Sequence, residues 1–329
     1  MSTLYITTQG ATLQKFSGQF VVLKKRDVLQ NVPETLVRQI VLVGNVNLTT
    51  PTISFCLEKQ IEVVFLSQGG RFRGRLNGET SRAVEIRRRQ YERVSDRQFC
   101  LRQAKAFVTG KIQNQTTLIR QQIKNGKIPV DFGNLQNLLR KTVSINSVES
   151  LLGIEGSASA TYFKLFRAVV PEPFSFTKRT ANPPLDEVNA LLSLSYTLLY
   201  NRITTNLNIV GLDAYLGFFH KASNGHAALA SDLVEEFRPA IADALCLRLL
   251  NRKQLKITDF SRENGKLYLT GNGKKVFFSE FENKMASKRQ TDAGDNWNLS
   301  YTKIIERQVH HLARVIKGEE PQYKPFILR

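Results

Sequence analysis

The period of the apolar pattern changes once along this chain, and that change limits the folds open to it. Up to residue 76 the apolar residues come in short runs rich in β-branched and aromatic side chains. These are LYITT, TLQKF, QFVVLKK, RQIVLVG and IEVVFLSQ, separated by Gly, Asn and Asp, a pattern of short strands joined by turns. Between two of them TPTISFCLEKQ predicts a short helix, with Thr50 able to cap it ahead of Pro51. From residue 82 the spacing is helical: Val84, Tyr91, Val94, Leu101, Ala104 and Val108 recur at three, four and seven residues. The turn-rich LNGETS gives a linker at residues 77–81. The expected class is α+β, with a small β-rich N-terminal domain over residues 1–76 and a larger, mostly α-helical catalytic domain over 82–329. Within the latter, NGKIPVDFGN breaks the pattern at Gly126 and Pro129, and PEPFSFTKRTANPPLDEVN predicts an ordered, proline-rich loop. ITDFSRENGKLYLTGNGKKVFF, residues 257–278, predicts a small β excursion with turns at Asn264-Gly265 and around Gly271-Asn272-Gly273.

Composition narrows the setting. With 42% apolar and 23% charged residues among 329, the chain is an ordinary globular protein with room for a sizeable core. No apolar run reaches the length of a membrane span, and MSTLYITTQG lacks the regions of a secretion signal. Cys56, Cys100 and Cys246 lie far apart, which argues against a disulfide framework or zinc site. The expected setting is the cytoplasm.

Charge points to a partner. The net charge is +19, which attracts polyanions. It is unevenly placed: residues 1–70 carry +2, 71–127 carry +11, 128–250 carry −1 and 251–329 carry +7. A basic belt and a basic tail therefore flank a nearly neutral middle. In RFRGR, read as a strand, Arg71, Arg73 and Arg75 project to one side and Phe72 and Leu76 to the other. Arg89, Arg93 and Arg97 line up four apart on the helix that follows. Such rows are often only solvated faces, but an arginine-rich strand leading into an arginine-rich helix favours phosphate contact. No basic segment has a continuous hydrophobic face, which sets aside a membrane-surface role.

HKASNGHAALASDLVEEFRP, residues 220–239, is out of keeping with that charge. Asp232, Glu235 and Glu236 stand at i, i+3 and i+4 and on a helix share a face. Two readings are open. One is an acidic first helical turn, favoured by the macrodipole and compatible with Pro239. The other is a divalent-cation site, where the cation supplies the missing positive charge. Glu155 in GIEGSASATYFKLF is a carboxylate among apolar and small residues, rarely buried there unless paired or coordinating. Glu155, His220 and Glu235 would supply two oxygens and a nitrogen, suited to Mg²⁺ or Mn²⁺. His310 and His311 read as surface or anion contacts, and His226 has no evident partner. A metal site inside a basic protein is what phosphodiester chemistry requires.

IEGSASATYF, NPPLDEVNALLSLSYTLLY, GFFH and DLVEEFRP, in this order and spacing, resemble the CRISPR-associated integrase-endonucleases of the Cas1 family. GEEPQYKPFILR is similar to the family's usual C-terminus, so the resemblance spans essentially the whole chain and its two-domain plan. It implies that Glu155, His220 and Glu235 are metal ligands, with Asp232 in support, and that Tyr162, Arg179, Asn182 and Asn189 stand at shared positions near the site. The loop departs from the family at His226, often Arg, and at Ala228, often Ser; a neutral histidine there removes a phosphate contact. Further implied are asymmetric homodimers, assembly with the small Cas2 protein, and capture of short duplex fragments of foreign DNA. The fragment's 3′-hydroxyl would attack a phosphodiester of the CRISPR repeat, joining the two by transesterification, and water in its place gives nuclease activity. Sequence preference is expected to be modest. The alternatives are a nuclease that only hydrolyses, and a non-catalytic nucleic-acid-binding scaffold.

Overall fold

The computed structural model describes residues 2–78, 83–123, 131–181, 183–223, 225–263, 266–290 and 298–329. Strands come first: β1 (Ser2–Ile6), β2 (Ala11–Phe16), β3 (Gln19–Lys24), β4 (Asp27–Pro33), β5 (Val37–Val43) and β6 (Val46–Leu48), then helix α1 (Thr50–Glu58), β7 (Glu62–Leu66) and β8 (Phe72–Leu76). They make two four-stranded sheets, β4-β3-β2-β6 and β1-β5-β7-β8. In the second, β1, β5 and β7 run parallel and β8 is antiparallel. A parallel sheet is usually covered on both faces, and this one is. Leu4, Ile6, Ile40, Leu42 and Val63 pack with Leu13, Phe20 and Val22 of the first sheet, while Val41, Val43, Val64 and Leu66 join the helical core. Period-two alternation thus lets one sheet serve two cores. β4 is mostly exposed and carries no apolar alternation, so it gave no signal in the sequence. α1 begins one residue earlier than expected: Thr49 is its N-cap, with its hydroxyl 2.8 Å from that of Thr52.

The helical part comprises α2 (Val84–Ser95), α3 (Arg97–Ile123), α4 (Gly133–Ser144), α5 (Val148–Ala168), α6 (Glu187–Val210), α7 (Ala228–Phe237), α8 (Ala244–Asn251), the hairpin β9 (Phe260–Glu263) and β10 (Lys266–Leu269), α9 (Gly271–Ala286), β11 (Lys288–Gln290), β12 (Asn298–Ser300) and α10 (Tyr301–Lys317). The class is the expected α+β. The linker expected at 77–81 falls largely outside the described residues, as does the turn at Asn264-Gly265. Among the described residues no helix is long and apolar enough to cross a membrane, and the three cysteines are buried and free.

Two expectations need correction. The arginine-rich run is two helices. The Asp96 carboxylate accepts from the backbone N–H groups of Gln98 (2.9 Å) and Phe99 (3.0 Å), which caps α3 and ends α2. The break rotates the apolar face: Phe99, Cys100, Ala104 and Val108 are buried, while Val84 and Tyr91 are exposed. The β excursion also stops at Leu269, because residues 271–278 belong to α9. The Thr270 side chain accepts from Gly273 N–H at 3.2 Å, and a Cβ on Gly273 would come within 2.7 Å of the Asp259 carbonyl. Its glycine serves a helix start pressed against the hairpin, which composition alone reads as a turn.

α3 is the spine of the helical body, packed against α4, α5, α7 and a π-helical turn, Arg238–Asp243, that joins α7 to α8. Pro239 lies inside that continuous helical run; the wider π turn accommodates a residue without an N–H.

Candidate functional site

Three elements meet beside α3: α5 carrying Glu155, the GFFH loop carrying His220, and α7 carrying Asp232, Glu235 and Glu236. These acids lie beyond the first turn of α7 and are at most 4% exposed. The acidic-first-turn reading therefore fails. They also do not act as one face, since each serves a different partner.

Asp232 organises the loop. Its Oδ2 accepts from Phe218 N–H (2.7 Å) and Phe219 N–H (3.1 Å), and its Oδ1 accepts from His220 N–H (2.9 Å). The same Oδ1 lies 2.8 Å from His220 Nδ1. Gly217 permits this closeness, because a Cβ there would come 2.8 Å from Asp232 Oδ2 and 2.9 Å from the Ala228 backbone. With Nδ1 engaged by a carboxylate, Nε2 is the nitrogen left for a ligand, the usual arrangement behind a metal-binding histidine. Burial disfavours charge on His220, but Asp232 outweighs it and raises the imidazole pKa.

Glu155 and Glu235 are bridged by the ammonium of Lys111, which is 2.5 Å from Glu235 Oε2 and in contact with Glu155 Oε1. Arg238 donates to Glu235 Oε1 at 2.5 Å. Burial pushes the Glu235 carboxyl up, but Arg238 and Lys111 prevail and hold it at about 2. Ser159 donates to Glu155 at 3.0 Å. Glu235 Oε2 is buried and accepts no well-directed hydrogen bond. Two carboxylates held together by one ammonium, and an imidazole offering Nε2, form a donor set of the kind that fits a divalent cation. Among the described residues no three such side chains yet converge as ligands; the lysine stands where the carboxylates would meet an ion.

Glu236 turns away. It accepts from Tyr323 OH (2.7 Å) and Phe326 N–H (3.0 Å), and burial lifts its pKa to about 8. It fastens the C-terminal segment to α7.

Next to the carboxylates is a cavity of about 280 Å³ whose wall includes Lys111, Tyr162, Arg179, Tyr196, Arg238 and Asp243. The Tyr196 ring has the Arg238 guanidinium at 4.7 Å and that of Arg179 at 5.2 Å. Tyr162 and Tyr196 donate to Asp243 at 2.7 and 2.6 Å, and burial lifts Asp243 to about 6 against those bonds. Asn189 accepts from Arg179 (2.9 Å) and Thr180 N–H (2.8 Å), so it positions Arg179. Asn182 lies outside the described residues. His226, expected to have no partner, is 3.0 Å from Ser231 Oγ and stacks on Tyr200. His311 is buried and pairs with Glu320 at 2.7 Å, whereas His310 is exposed.

The arginines are not one surface. A bulge in β8 puts Arg73 out of register with β7, so Phe72 and Arg75 share the face toward the helices and Leu76 takes the other. Arg75 pairs with Glu62 at 2.9 Å and donates to Asn201 at 2.9 Å; it ties sheet to helix and is not offered to DNA. Arg71, Arg73 and Arg97 are exposed. Arg89 pairs with Glu85 and Glu92. Arg93 is half-buried over the Phe99 ring, with Nε 3.3 Å from the Ile316 carbonyl.

Sequence reasoning passed over Lys111, Arg238, Tyr196 and Asp243. Lys111 had a readable signal: it continues the apolar stripe of Ala104 and Val108 at seven and three residues, where a lysine calls for a counter-charge.

Solved structures place the fold. A casposase bound to its integration product superposes with a TM-score of 0.87 at 22% identity, over 98% of this chain and 93% of that one. A Cas6–RT–Cas1–Cas2 complex gives a TM-score of 0.84 at 25% identity, over 100% of this chain and 36% of that one. The fold is therefore the one that Cas1 proteins share with a casposase. In sequence, a CRISPR-associated exonuclease Cas4/endonuclease Cas1 fusion of Geobacter sulfurreducens is 35% identical over 99% of this chain, which spans 60% of the fusion's length. CRISPR-associated endonuclease Cas1 3 of Thermus thermophilus is 31% identical over 100% of this chain and 98% of its own. The family model for CRISPR associated protein Cas1 matches residues 4–283, and the chain belongs to that family. Metal dependence is general among its endonucleases.

Proposed function

We propose that this chain is a divalent-metal-dependent DNA endonuclease and integrase of CRISPR adaptation, with Glu155, His220 and Glu235 as ligands of Mg²⁺ or Mn²⁺. The observation that carries this reading is the Asp232–His220 pair, which engages Nδ1 and leaves Nε2 for a ligand, in a chain of charge +19 where Lys111 draws Glu155 and Glu235 together. When bound, the ion supplies Lewis acidity at the scissile phosphate. The chain's own residues do the remainder. Asp232 fixes the tautomer and orientation of His220. Arg179 and Arg238, both resting over the Tyr196 ring, bring positive charge to the cavity beside the carboxylates, where a phosphate oxygen would collect charge. The exposed Arg71, Arg73, Arg89 and Arg97 meet the DNA backbone. The domain division at residues 76–82, a homodimer, a Cas2 partner like that in the Cas6–RT–Cas1–Cas2 complex and a cytoplasmic setting complete the reading.

The test incubates the full chain, with and without a Cas2 partner, with a labelled duplex fragment and a supercoiled plasmid bearing leader and repeat, in Mn²⁺ or EDTA. A Mn²⁺-dependent joined product, lost in His220→Ala, is the expected result. Cleavage without joining would reduce the chain to a hydrolytic nuclease. DNA binding with no metal-dependent product would leave a scaffold.

A further inference from the structure

Between the far ends of α3 and α5, the π turn, α8 and α9 lies a cavity of about 620 Å³ that the proposed chemistry does not use. Gln121, in its wall, is on the same helix as Lys111, about 15 Å away at 1.5 Å of rise per residue. The charged side chains lining the cavity are all cationic: Arg248, Arg252, Lys284 and Arg289. Arg248 gives one Nη to Glu280 at 2.7 Å, but its Nε is buried without an acceptor. Lys284 is 6% exposed. Its ammonium lies 4.8 Å from the Tyr301 ring centroid and meets no acceptor among the described residues. Burial first, then Arg289 and Arg248, push its pKa down to about 7.

Such a wall is costly when nothing binds to it. One buried donor, Arg248 Nε, lacks an acceptor, the mostly buried Lys284 has only a ring face against its ammonium, and several cations share the wall; each of these opposes folding. An anion in the cavity offsets these costs. The rest of the lining is partly apolar, with Val169, Val170, Ala240 and Ala244, and the volume lies within the range of small-ligand sites. A phosphate ester with an apolar-faced body matches that division: one nucleotide, its phosphate on the cations and its base or sugar on the aliphatic floor. A free inorganic anion would leave the floor unused.

We propose that this cavity is a second binding site, which takes one nucleotide of a DNA strand and holds its phosphate with Lys284, Arg248 and Arg252. The site is separate from the carboxylate centre and does not depend on a metal there. Its role is to hold a strand at a fixed distance from that centre.

The test titrates a fluorescent single-stranded oligonucleotide into the full chain in EDTA, over a series of NaCl concentrations. The proteins are wild type, Lys284→Met and Arg252→Gln, the last being an exposed position whose substitution leaves the core intact. Each variant is expected to bind roughly three- to tenfold more weakly. Its slope of log affinity against log salt should shrink by about 0.7 for a lost phosphate contact to a single strand. Mn²⁺ affinity, measured in parallel, should stay at the wild-type value, so failure here is distinguishable from failure of the metal-centre reading. Unchanged affinity and slope in both variants would sink the proposal. Thymidine monophosphate stabilising the wild type while the variants keep full DNA affinity would also overturn it, in favour of a free-nucleotide site.

Discussion

Asp232 accepts four hydrogen bonds, three from backbone and one from the His220 ring, so in the proposed site it orients the histidine. Asp232→Asn is expected to weaken Mn²⁺ binding by roughly 10- to 100-fold, the usual loss for such an outer partner. Calorimetric titration measures it, and a wild-type affinity would remove Asp232 from the site. Lys111 makes the opposite prediction. Its ammonium competes with the cation for both carboxylates, so Lys111→Met should bind Mn²⁺ at least tenfold more tightly. The metal-free variant should lose roughly 3–5 kcal/mol for the broken buried pair. Weaker metal binding would instead make the lysine an organiser of the ligands. Asp243 yields a pH test. Its folded pKa, about 6, lies above the ordinary 3.8, so the folded state holds the proton more tightly between those values. Stability from this group is complete below about pH 4, falls as pH rises to 6 and is level above. Asp243→Asn should therefore gain on wild type across that window by about 3 kcal/mol, from about two units at 1.36 kcal/mol each. Urea denaturation near pH 4 and pH 7 reads the difference.

At the scale of the element, α7 is held from two sides. The GFFH loop hangs on Asp232, and the C-terminal segment hangs on Glu236 through Tyr323 and Phe326 and on Asn114, which accepts from Leu328 N–H at 2.7 Å. Deleting residues 323–329 would leave the buried Glu236 carboxyl with only the Gln308 amide, 3.3 Å away, at a cost of roughly 1–3 kcal/mol. A melting temperature lower by several degrees is expected, and an unchanged one would show that the strap is passive. Helical periodicity made α7 legible in the sequence, along with the acidic residues on it. Periodicity could not show that Asp232, Glu235 and Glu236 diverge to three partners, because those partners come from a loop, from α3 and from the chain's end. The β8 bulge is a similar case: strict alternation aligned Arg75 with Arg71 and Arg73, and one extra residue turned it inward.

For the whole molecule, charge is the organising quantity. The basic belt and tail surround a middle that is nearly neutral, and that middle holds the carboxylates. Arg71→Gln with Arg73→Gln should weaken DNA binding about equally for all sequences and reduce its salt slope by about 1.8 for duplex if both contacts are lost. Arg75→Gln should leave that slope alone and lower the melting temperature, since its guanidinium is tied to Glu62 and Asn201. Filter binding at several salt concentrations, beside thermal denaturation, separates the two roles.

The sequence by itself determined the division into strands and helices, because period two and period 3.6 are properties of the local pattern. It also located the acidic patch and the basic belt, because charge is additive along a chain, and its four central motifs carried the family. Only the tertiary structure decided that Lys111 bridges Glu155 and Glu235, that Asp232 turns to His220 while Glu236 clasps the C-terminus, and that Lys284 and Arg248 face a shared cavity. Those pairings join residues separated by 12 to 124 positions, and which distant groups meet is set by how helices pack around α3, a matter on which local periodicity is silent.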